Sequence, residues 1–228
     1  QFVYLVVSRP GISREPHPFS IASGYRLDGE LKLGIRMVGD YTRTLNRLEA
    51  GDAVTFYGPY GRFGDRFLSA DRDCVFVGGG IGITPFLGMW HVALHSEERL
   101  DERDVPAPVR HFHPEILKSW KSPRVHLFYV CRDEADASFD DDIRGEIAVC
   151  RSLGFGPPEE RDHVYELYLS GSRGRISAAY IHTQVKGGAV HRMIFLCGPP
   201  AMMESLSREF GELGVPGDRI VFESYSLK

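Results

Sequence analysis

Two rhythms of apolar residues divide the chain. Up to about Phe67 the apolar positions come in short runs rich in β-branched and aromatic residues, separated by turn formers: Phe2–Val7, Phe19–Ala22, Leu31–Met37 and Ala53–Tyr57. Leu31–Met37 sets Leu31, Leu33, Ile35 and Met37 against Lys32, Gly34 and Arg36, the alternation of a half-buried strand. Thr42–Glu49 has room for one or two helical turns, with Leu45 and Leu48 on one side. These patterns predict a small antiparallel sheet or barrel over residues 1–69.

From Cys74 the pattern changes. Cys74–Val77 is an unbroken apolar run that enters a glycine-rich turn, Gly78–Pro85, and then an apolar helix, Phe86–Leu94. Val125–Val130, Tyr165–Ser170, Arg192–Leu196 and Ile220–Phe222 read as further strands, with helices near Asp141–Ser152 and Ala201–Leu213 between them. Strands alternating with helices predict a parallel sheet covered on both faces. The expected fold class is therefore two-domain: an antiparallel β-barrel, then an α/β parallel-sheet domain over residues 70–228. Two inserts interrupt this scheme, at 95–123 and 154–162. The first mixes charges, histidines and prolines and reads as a surface excursion. The opening Gln1-Phe-Val-Tyr-Leu reads as a strand already in progress.

Composition narrows the classes. Hydrophobic residues make up 43% and charged residues 25%, enough apolar material for a core. Lys plus Arg is 27 against 31 Asp plus Glu, a formal charge of -4, which argues against a binder dominated by nucleic-acid phosphates. The most apolar stretch, Val75–Trp90, is broken by glycines and Pro85 and cannot span a bilayer. Cys74, Cys131, Cys150 and Cys197 show no CxxC spacing, which argues against an iron–sulfur cluster or zinc ribbon in this chain and suits a reducing compartment. His111, His113 and His126 have no ligand partners at a metal-binding spacing and stay unassigned; no metal is expected.

Three motifs carry chemistry. In the first, Gly78–Pro85, a strand ends in glycines that let a ligand approach the backbone, and Thr84-Pro85 suits a helix start where N–H groups and the dipole favour phosphate. It is neither a P-loop nor a clean GxGxxG, since Pro85 holds the last glycine's place, and alone it is equally a tight βα turn. The second, Cys197-Gly-Pro-Pro-Ala-Met-Met203, is another strand-to-helix turn, of the kind that opens a ligand crevice at the carboxyl ends of strands. Alone, Cys197 reads as a buried small hydrophobe. The third is His17-Pro-Phe-Ser-Ile-Ala-Ser23 with Gly39-Asp-Tyr-Thr-Arg-Thr-Leu45 and Gly58-Pro-Tyr-Gly-Arg-Phe63. An aromatic beside a hydroxyl can stack on and hydrogen-bond a flat heterocycle, while Arg36 and the Gly39–Thr42 loop can hold a diphosphate.

Taken in order, these motifs resemble the ferredoxin–NADP reductase superfamily. More closely, they are similar to the C-terminal flavin and nicotinamide module of ferric reductase and NADPH oxidase type membrane proteins, because of the His-Pro-Phe-Ser variant. The resemblance runs from Gln1 to Tyr225, apart from the two inserts. A flavin-binding barrel of this family would need about six strands of about 5–6 residues plus turns, which do not fit before Cys74, so the resemblance implies a barrel without its first strands, cut from a longer membrane protein.

The resemblance implies FAD held by His17, Pro18, Phe19 and Ser20, with Phe19 against the ring and Ser20 near its reactive nitrogen. Arg36, Gly39, Tyr41 and Thr42 would face the FAD diphosphate. Gly79, Gly80, Gly82, Thr84 and Pro85 would take the nicotinamide nucleotide pyrophosphate, with Cys197, Gly198, Pro199 and Met202 beside the nicotinamide. Glu223 matches a C-terminal acidic residue and Tyr225 an aromatic that shields the flavin. Ser20, Cys197 and Glu223 are the catalytic candidates. Arg132, Arg173 and Arg175 would read a 2′-phosphate, favouring NADPH with NADH as the alternative. The implied partner is a haem-carrying transmembrane domain earlier in the same polypeptide, with this module on the cytoplasmic side of the membrane, for ferric or oxygen reduction. Two other readings stay open: a soluble reductase serving a protein partner, and a non-catalytic nucleotide-binding redox sensor, against which the intact motifs count.

Overall fold

The computed structural model describes residues 1–23, 31–94, 122–152 and 163–223. Most of the first expected insert, the second insert, His111, His113 and Tyr225 lie outside the described residues.

In the first part, β1 (Phe2–Val7), β2 (His17–Ser20) and β3 (Val54–Tyr60) form an antiparallel sheet in the order β2-β1-β3. On one side of β1 the register runs from Leu5 opposite His17 to Phe2 opposite Ser20; on the other Val7 faces Val54 and Phe2 faces Tyr60. Strand alternation decides the faces: Val3, Leu5 and Val7 are buried while Tyr4 is exposed. Leu5, Val7, Ile12 and Leu45 make a small core, with Phe19, Leu33, Ile35, Tyr41 and Leu48 packed against it. A short helix, α1 (Asp40–Thr44), and a 3₁₀ turn, Leu45–Arg47, supply the helical turns expected after Thr42.

The strand expected at Leu31–Met37 does not form. That segment makes one isolated bridge, Ile21 to Leu33, and Ala22 N–H donates to the Lys32 carbonyl at 2.8 Å. The alternation itself survives, since Leu33 and Ile35 pack on the small core while Gly34 faces away toward Phe139 and Thr84. A period of two specifies which residues share a face; a strand also needs a partner edge, and none runs beside residues 34–38 among the described residues.

The second part is a five-stranded parallel sheet, β4 (Cys74–Gly79), β5 (Val125–Cys131), β6 (Val164–Leu169), β7 (Met193–Cys197) and β8 (Ile220–Glu223), in the order β6-β5-β4-β7-β8. Every residue of β4, β5 and β7 is buried. This is why these strands read as continuous apolar runs: helices cover both faces and leave no polar phase. One face packs α2 (Phe63–Leu68), α3 (Thr84–Leu94) and α4 (Asp140–Ser152) against Phe76, Leu127 and Phe195. The other packs α6 (Ala178–Gln184) and α7 (Pro200–Glu212) against Val75, Phe128 and Leu196, with a single-turn α5 (Ser170–Arg173) between β6 and α6. Phe67, Phe76, Phe86 and Phe195 are fully buried, each worth about 1.5–3 kcal/mol of transfer free energy.

Two helices go beyond the pattern reading. In α2, Phe63 and Phe67, four apart, carry the end of the first part into the core of the second. In α6, the Ser177 hydroxyl accepts from Tyr180 N–H at 3.2 Å and caps a helix too short to show a full apolar period. The functionally decisive feature is strand order. β5 and β6 lie on one side of β4, β7 and β8 on the other, so the chain reverses direction at β4 and opens a crevice at the carboxyl ends of β4 and β7.

Candidate active site

The two glycine-containing turns straddle that crevice. Gly78 pairs with Cys197 across β4 and β7, and a 3₁₀ turn, Gly80–Ile83, leads into α3 at Thr84. A Cβ on Gly82 would fall 2.4 Å from the Cys197 carbonyl oxygen and 2.6 Å from Gly198 Cα. Both are backbone atoms, so no side chain can move aside, and only glycine lets the turns close on each other. Gly79 is packed closely too: a Cβ there would fall 2.8 Å from the side chains of Pro199 and Met202. The structure thus brings Gly79, Gly82, Cys197, Gly198, Pro199 and Met202 into one cluster, with Gly80, Thr84 and Pro85 continuing its rim into α3. Thr84 is buried, and its hydroxyl donates to the Ile81 carbonyl at 3.0 Å.

The small sheet meets this crevice at one corner. Cys197 and Glu223 are neighbours across β7 and β8. The Gln1 carbonyl accepts from Ile21 N–H at 3.0 Å, one residue beyond Ser20, and the Gln1 backbone nitrogen lies near Glu223, Asp65 and Cys197. Ser20, Cys197 and Glu223 therefore gather at the junction of the two sheets. Burial pushes the Glu223 carboxyl above its ordinary value.

On the small sheet, the His17 ring stacks on Tyr41 with centroids 3.4 Å apart and planes 4° apart, and Phe19 lies 6.4 Å from the same tyrosine. Pro18 sits between them in β2, opposite Tyr4. The Tyr41 hydroxyl is buried without a hydrogen-bond partner, and burial raises its pKa. The Thr42 hydroxyl accepts from the N–H groups of Val38 (3.1 Å) and Gly39 (2.9 Å) and donates to the Gly39 carbonyl (3.0 Å), which folds the loop into a tight cradle. Arg36 is exposed beside it, with no ion-pair partner among the described residues. Stacked aromatic rings, an orphaned buried hydroxyl and an uncommitted guanidinium fit a ring-bearing diphosphate such as FAD.

At the far end of the crevice, a cavity of about 510 Å³ opens at the carboxyl ends of β5 and β6, lined by Arg132, Asp133, Glu134, Ala135, Leu169, Gly171 and Ser172. Of the three arginines expected to read a 2′-phosphate, the structure brings only Arg132 here. Arg173 is committed elsewhere. Its guanidinium lies 4.3 Å from the Tyr168 ring and 4.7 Å from the Tyr180 ring, donates to Glu166 at 3.0 Å and to the Tyr180 hydroxyl, and that hydroxyl donates to Glu166 at 2.5 Å. A guanidinium held by a carboxylate and two rings is withdrawn from a neighbouring phosphate site. Arg175 is exposed and does not line the cavity.

Solved structures share this architecture. The Amycolatopsis cytochrome P450 reductase GcoB superposes with a TM-score of 0.64 at 26% identity, covering 100% of this chain and 60% of that one. The flavohem-like FAD/NAD-binding domain of the nitric oxide dioxygenase from Vibrio cholerae superposes with a TM-score of 0.66 at 18% identity, covering 98% and 83%. The chain has a ferredoxin–NADP reductase-like FAD/NAD-binding fold. Among curated proteins, this reductase-like chain is similar to oxidoreductase NAD-binding domain-containing protein 1 of Danio rerio, 28% identical over 160 residues, which is 67% of this chain and 52% of that protein. It is also similar to the carnitine monooxygenase reductase subunit of Escherichia coli, 25% identical over 182 residues, 80% of this chain and 43% of the subunit. The chain spans about half the length of these curated relatives. No protein-family model matches it.

Among the described residues, no helix of the reductase-like chain is long and apolar enough to cross a membrane, and no group of His, Cys, Asp or Glu is placed to hold a metal ion. The features that sequence reasoning missed are the Glu166–Arg173–Tyr180 clamp and the contact of Gly34 with Thr84 and Phe139. Gly34 does leave a trace in the sequence, as a glycine in the polar phase of an alternating run.

Proposed function

We propose that the chain is the reductase module of a flavin-dependent electron-transfer system: it binds FAD and NAD(P)H, accepts a hydride equivalent from the nicotinamide, and delivers single electrons to a separate domain or protein. The observation that carries this reading is the convergence of Ser20, Cys197 and Glu223 where the small sheet meets the switch point of the parallel sheet. Bound FAD supplies the conversion of a two-electron hydride donor into single electrons.

The chain's own residues bind, align and exclude water. Phe19, His17 and Tyr41 offer a stacking surface on the small sheet; Arg36 and the loop closed by Thr42 supply cation and cradle for a diphosphate. The Gly79–Thr84 turn presents backbone to a second diphosphate at the start of α3. Ser20 places a hydroxyl at the junction, and Cys197 with Gly198 forms the opposite wall. A step that requires two rings face to face gains most from this kind of fixed approach, because misplacement by about 1 Å can cost about 10²-fold in rate. Glu223, its carboxyl pushed up by burial, holds a proton at its side-chain oxygen more readily than an exposed glutamate would. Arg132 is the cation at hand for the 2′-phosphate of NADPH, while Asp133 and Glu134 in the same cavity suit the free ribose of NADH.

Two acceptors have support. The His17-Pro-Phe-Ser20 variant and the order of the motifs support the ferric reductase or NADPH oxidase reading, with haem of a membrane domain as acceptor. Relatives named as the reductase subunit of carnitine monooxygenase and the reductase component of propane 2-monooxygenase from Rhodococcus jostii support a protein partner instead. The test is anaerobic: the full-length protein, loaded with FAD, is mixed with NADPH or NADH while flavin absorbance is followed. Bleaching within a single turnover is expected; a protein that takes up FAD but stays oxidised with both coenzymes overturns the proposal. Haem reduction in the same cuvette distinguishes the two acceptors.

A further inference from the structure

The segment between the two sheets contains a contact that neither cofactor motif requires. A Cβ built on Gly34 would lie 2.5 Å from Phe139 Cζ and 2.7 Å from Thr84 Cγ2, where ordinary contact begins at 3.4 Å. The Gly34 φ lies outside the left-handed region, so the constraint is space and not backbone conformation. Thr84 is the neighbour that cannot retreat, while Phe139 is only partly buried. Thr84 is 1% exposed, hydrogen-bonded to the Ile81 carbonyl, and is the first residue of α3 on the nucleotide turn. Phe139 packs against the aromatic core of the parallel sheet, and its carbonyl accepts from Ile143 N–H at 3.1 Å in the first turn of α4.

The other side of Gly34 is tied to the flavin strand. Leu33 bridges to Ile21, the residue after Ser20; Lys32 accepts at its carbonyl from Ala22 N–H; and Leu33 and Ile35 pack on the core of the small sheet. Lys32 also meets Asp142 of α4 at 3.3 Å, an exposed pair that marks the same seam and adds little energy. A short rigid path therefore runs from Ser20 through Ile21 and Leu33 to Gly34, and from there directly onto Thr84.

We propose that Gly34 is a positioning residue: its missing side chain is the spacer that sets how closely the Ser20 strand approaches the Thr84 turn. This rests on the proposed function, in which those two elements carry the flavin and the nicotinamide nucleotide. A methyl group at 34 requires about 0.7 Å of added separation from Thr84, the shortfall between 2.7 and 3.4 Å, and about 0.9 Å from the Phe139 ring. An offset of that size between hydride donor and acceptor is worth about 10²-fold in rate.

The test uses the full-length protein carrying Gly34→Ala, alone and combined with Phe139→Ala, which removes the ring that the methyl would meet and leaves the approach to Thr84 Cγ2. FAD and NAD(P)H dissociation constants should stay within about twofold of the parent. The single-turnover rate of flavin reduction should fall about 10²-fold in Gly34→Ala, with loss of the long-wavelength charge-transfer absorbance between stacked rings, and both should recover only in part in the double variant. A second readout needs no cofactor: spin labels at Ala50→Cys and Glu212→Cys in the apo protein should move apart in Gly34→Ala and return only part of the way in the double variant. Unchanged label distance, or a reduction rate near the parent's with FAD bound, overturns the proposal. Failure of the unmodified protein to be reduced, with the label distance still responding to position 34, overturns the proposed function and leaves Gly34 as the spacer of the seam.

Discussion

Replacing Gly82 with alanine tests the reading of the crevice at its tightest point. The added methyl would stand 2.4 Å from the Cys197 carbonyl oxygen, against 3.4 Å for ordinary contact, so the turn after β4 and the turn after β7 must separate by about 1 Å. All the atoms in the way belong to backbone, and β4 and β7 are fully buried, so the shift is resisted by the whole parallel sheet. Overpacking of this kind costs about 1–3 kcal/mol. For a protein of this size that lowers the melting temperature by about 2–4 °C per kcal/mol, or about 2–12 °C in all. The same displacement moves Cys197 and Gly198 relative to the Gly79–Thr84 turn. Flavin reduction by NAD(P)H should therefore slow about 10²-fold, while FAD uptake, which the proposed function assigns to the small sheet, stays close to the parent. Calorimetry and anaerobic stopped-flow absorbance read the two effects separately. If Gly82→Ala melts within about 1 °C of the parent and is reduced within about twofold of its rate, the close packing of the two turns is not what shapes the site.

Other substitutions probe other parts of the site. Ser20→Ala removes a hydroxyl at the junction and should slow flavin reduction about 3- to 10-fold, the equivalent of one ordinary hydrogen bond, without lowering nucleotide affinity. Cys197→Ala should slow reduction more than it weakens NAD(P)H binding, as measured by single-turnover rates against a binding titration. Arg132→Ala should raise KM for NADPH about 10- to 100-fold and spare NADH, as loss of a charge-assisted phosphate contact would, whereas Arg173→Ala should leave the NADPH-to-NADH ratio where it was; a shift of that ratio by Arg173→Ala would show that the clamp opens. His126 is buried, chiefly by burial and secondarily by Arg192 pushed down from 6.5 to about 4, so the unfolded chain binds its proton first as pH falls. Its contribution to stability is intact above pH 6.5 and is lost between there and about pH 4, by about 3 kcal/mol at most. His126→Phe, keeping the ring stacked on Phe128, should flatten the fall in melting temperature over that interval.

Much of the fold is legible in the chain because burial leaves its mark on residue type. β4, β5 and β7 have helices on both faces, so they carry no polar phase and announce themselves as apolar runs. Thr84-Pro85 marks the start of α3 for the same local reason that glycines mark the turn before it. The candidate site is legible in part, because His17–Ser20, Gly79–Pro85 and Cys197–Met202 are contiguous stretches that the proposed function uses.

What the sequence could not express is which stretches meet. Leu31–Met37 has the alternation of a strand, yet a ladder needs an edge beside it, and the tertiary structure instead lays Gly34 against Thr84 and Phe139. Arg173 looks identical in sequence to an arginine waiting for phosphate. Only the fold places Glu166, seven residues before it, and Tyr180, seven after, around one guanidinium. Local propensity and burial pattern are written residue by residue, and so the buried strands, most of the helices beside them and the turn motifs were determined by the sequence alone. The convergence of Ser20, Cys197 and Glu223, the contact of Gly82 with the Cys197 carbonyl, and the commitment of Arg173 to its clamp depend on distances between segments far apart in the chain. Those distances come from strand order and helix packing, and only the tertiary structure decides them.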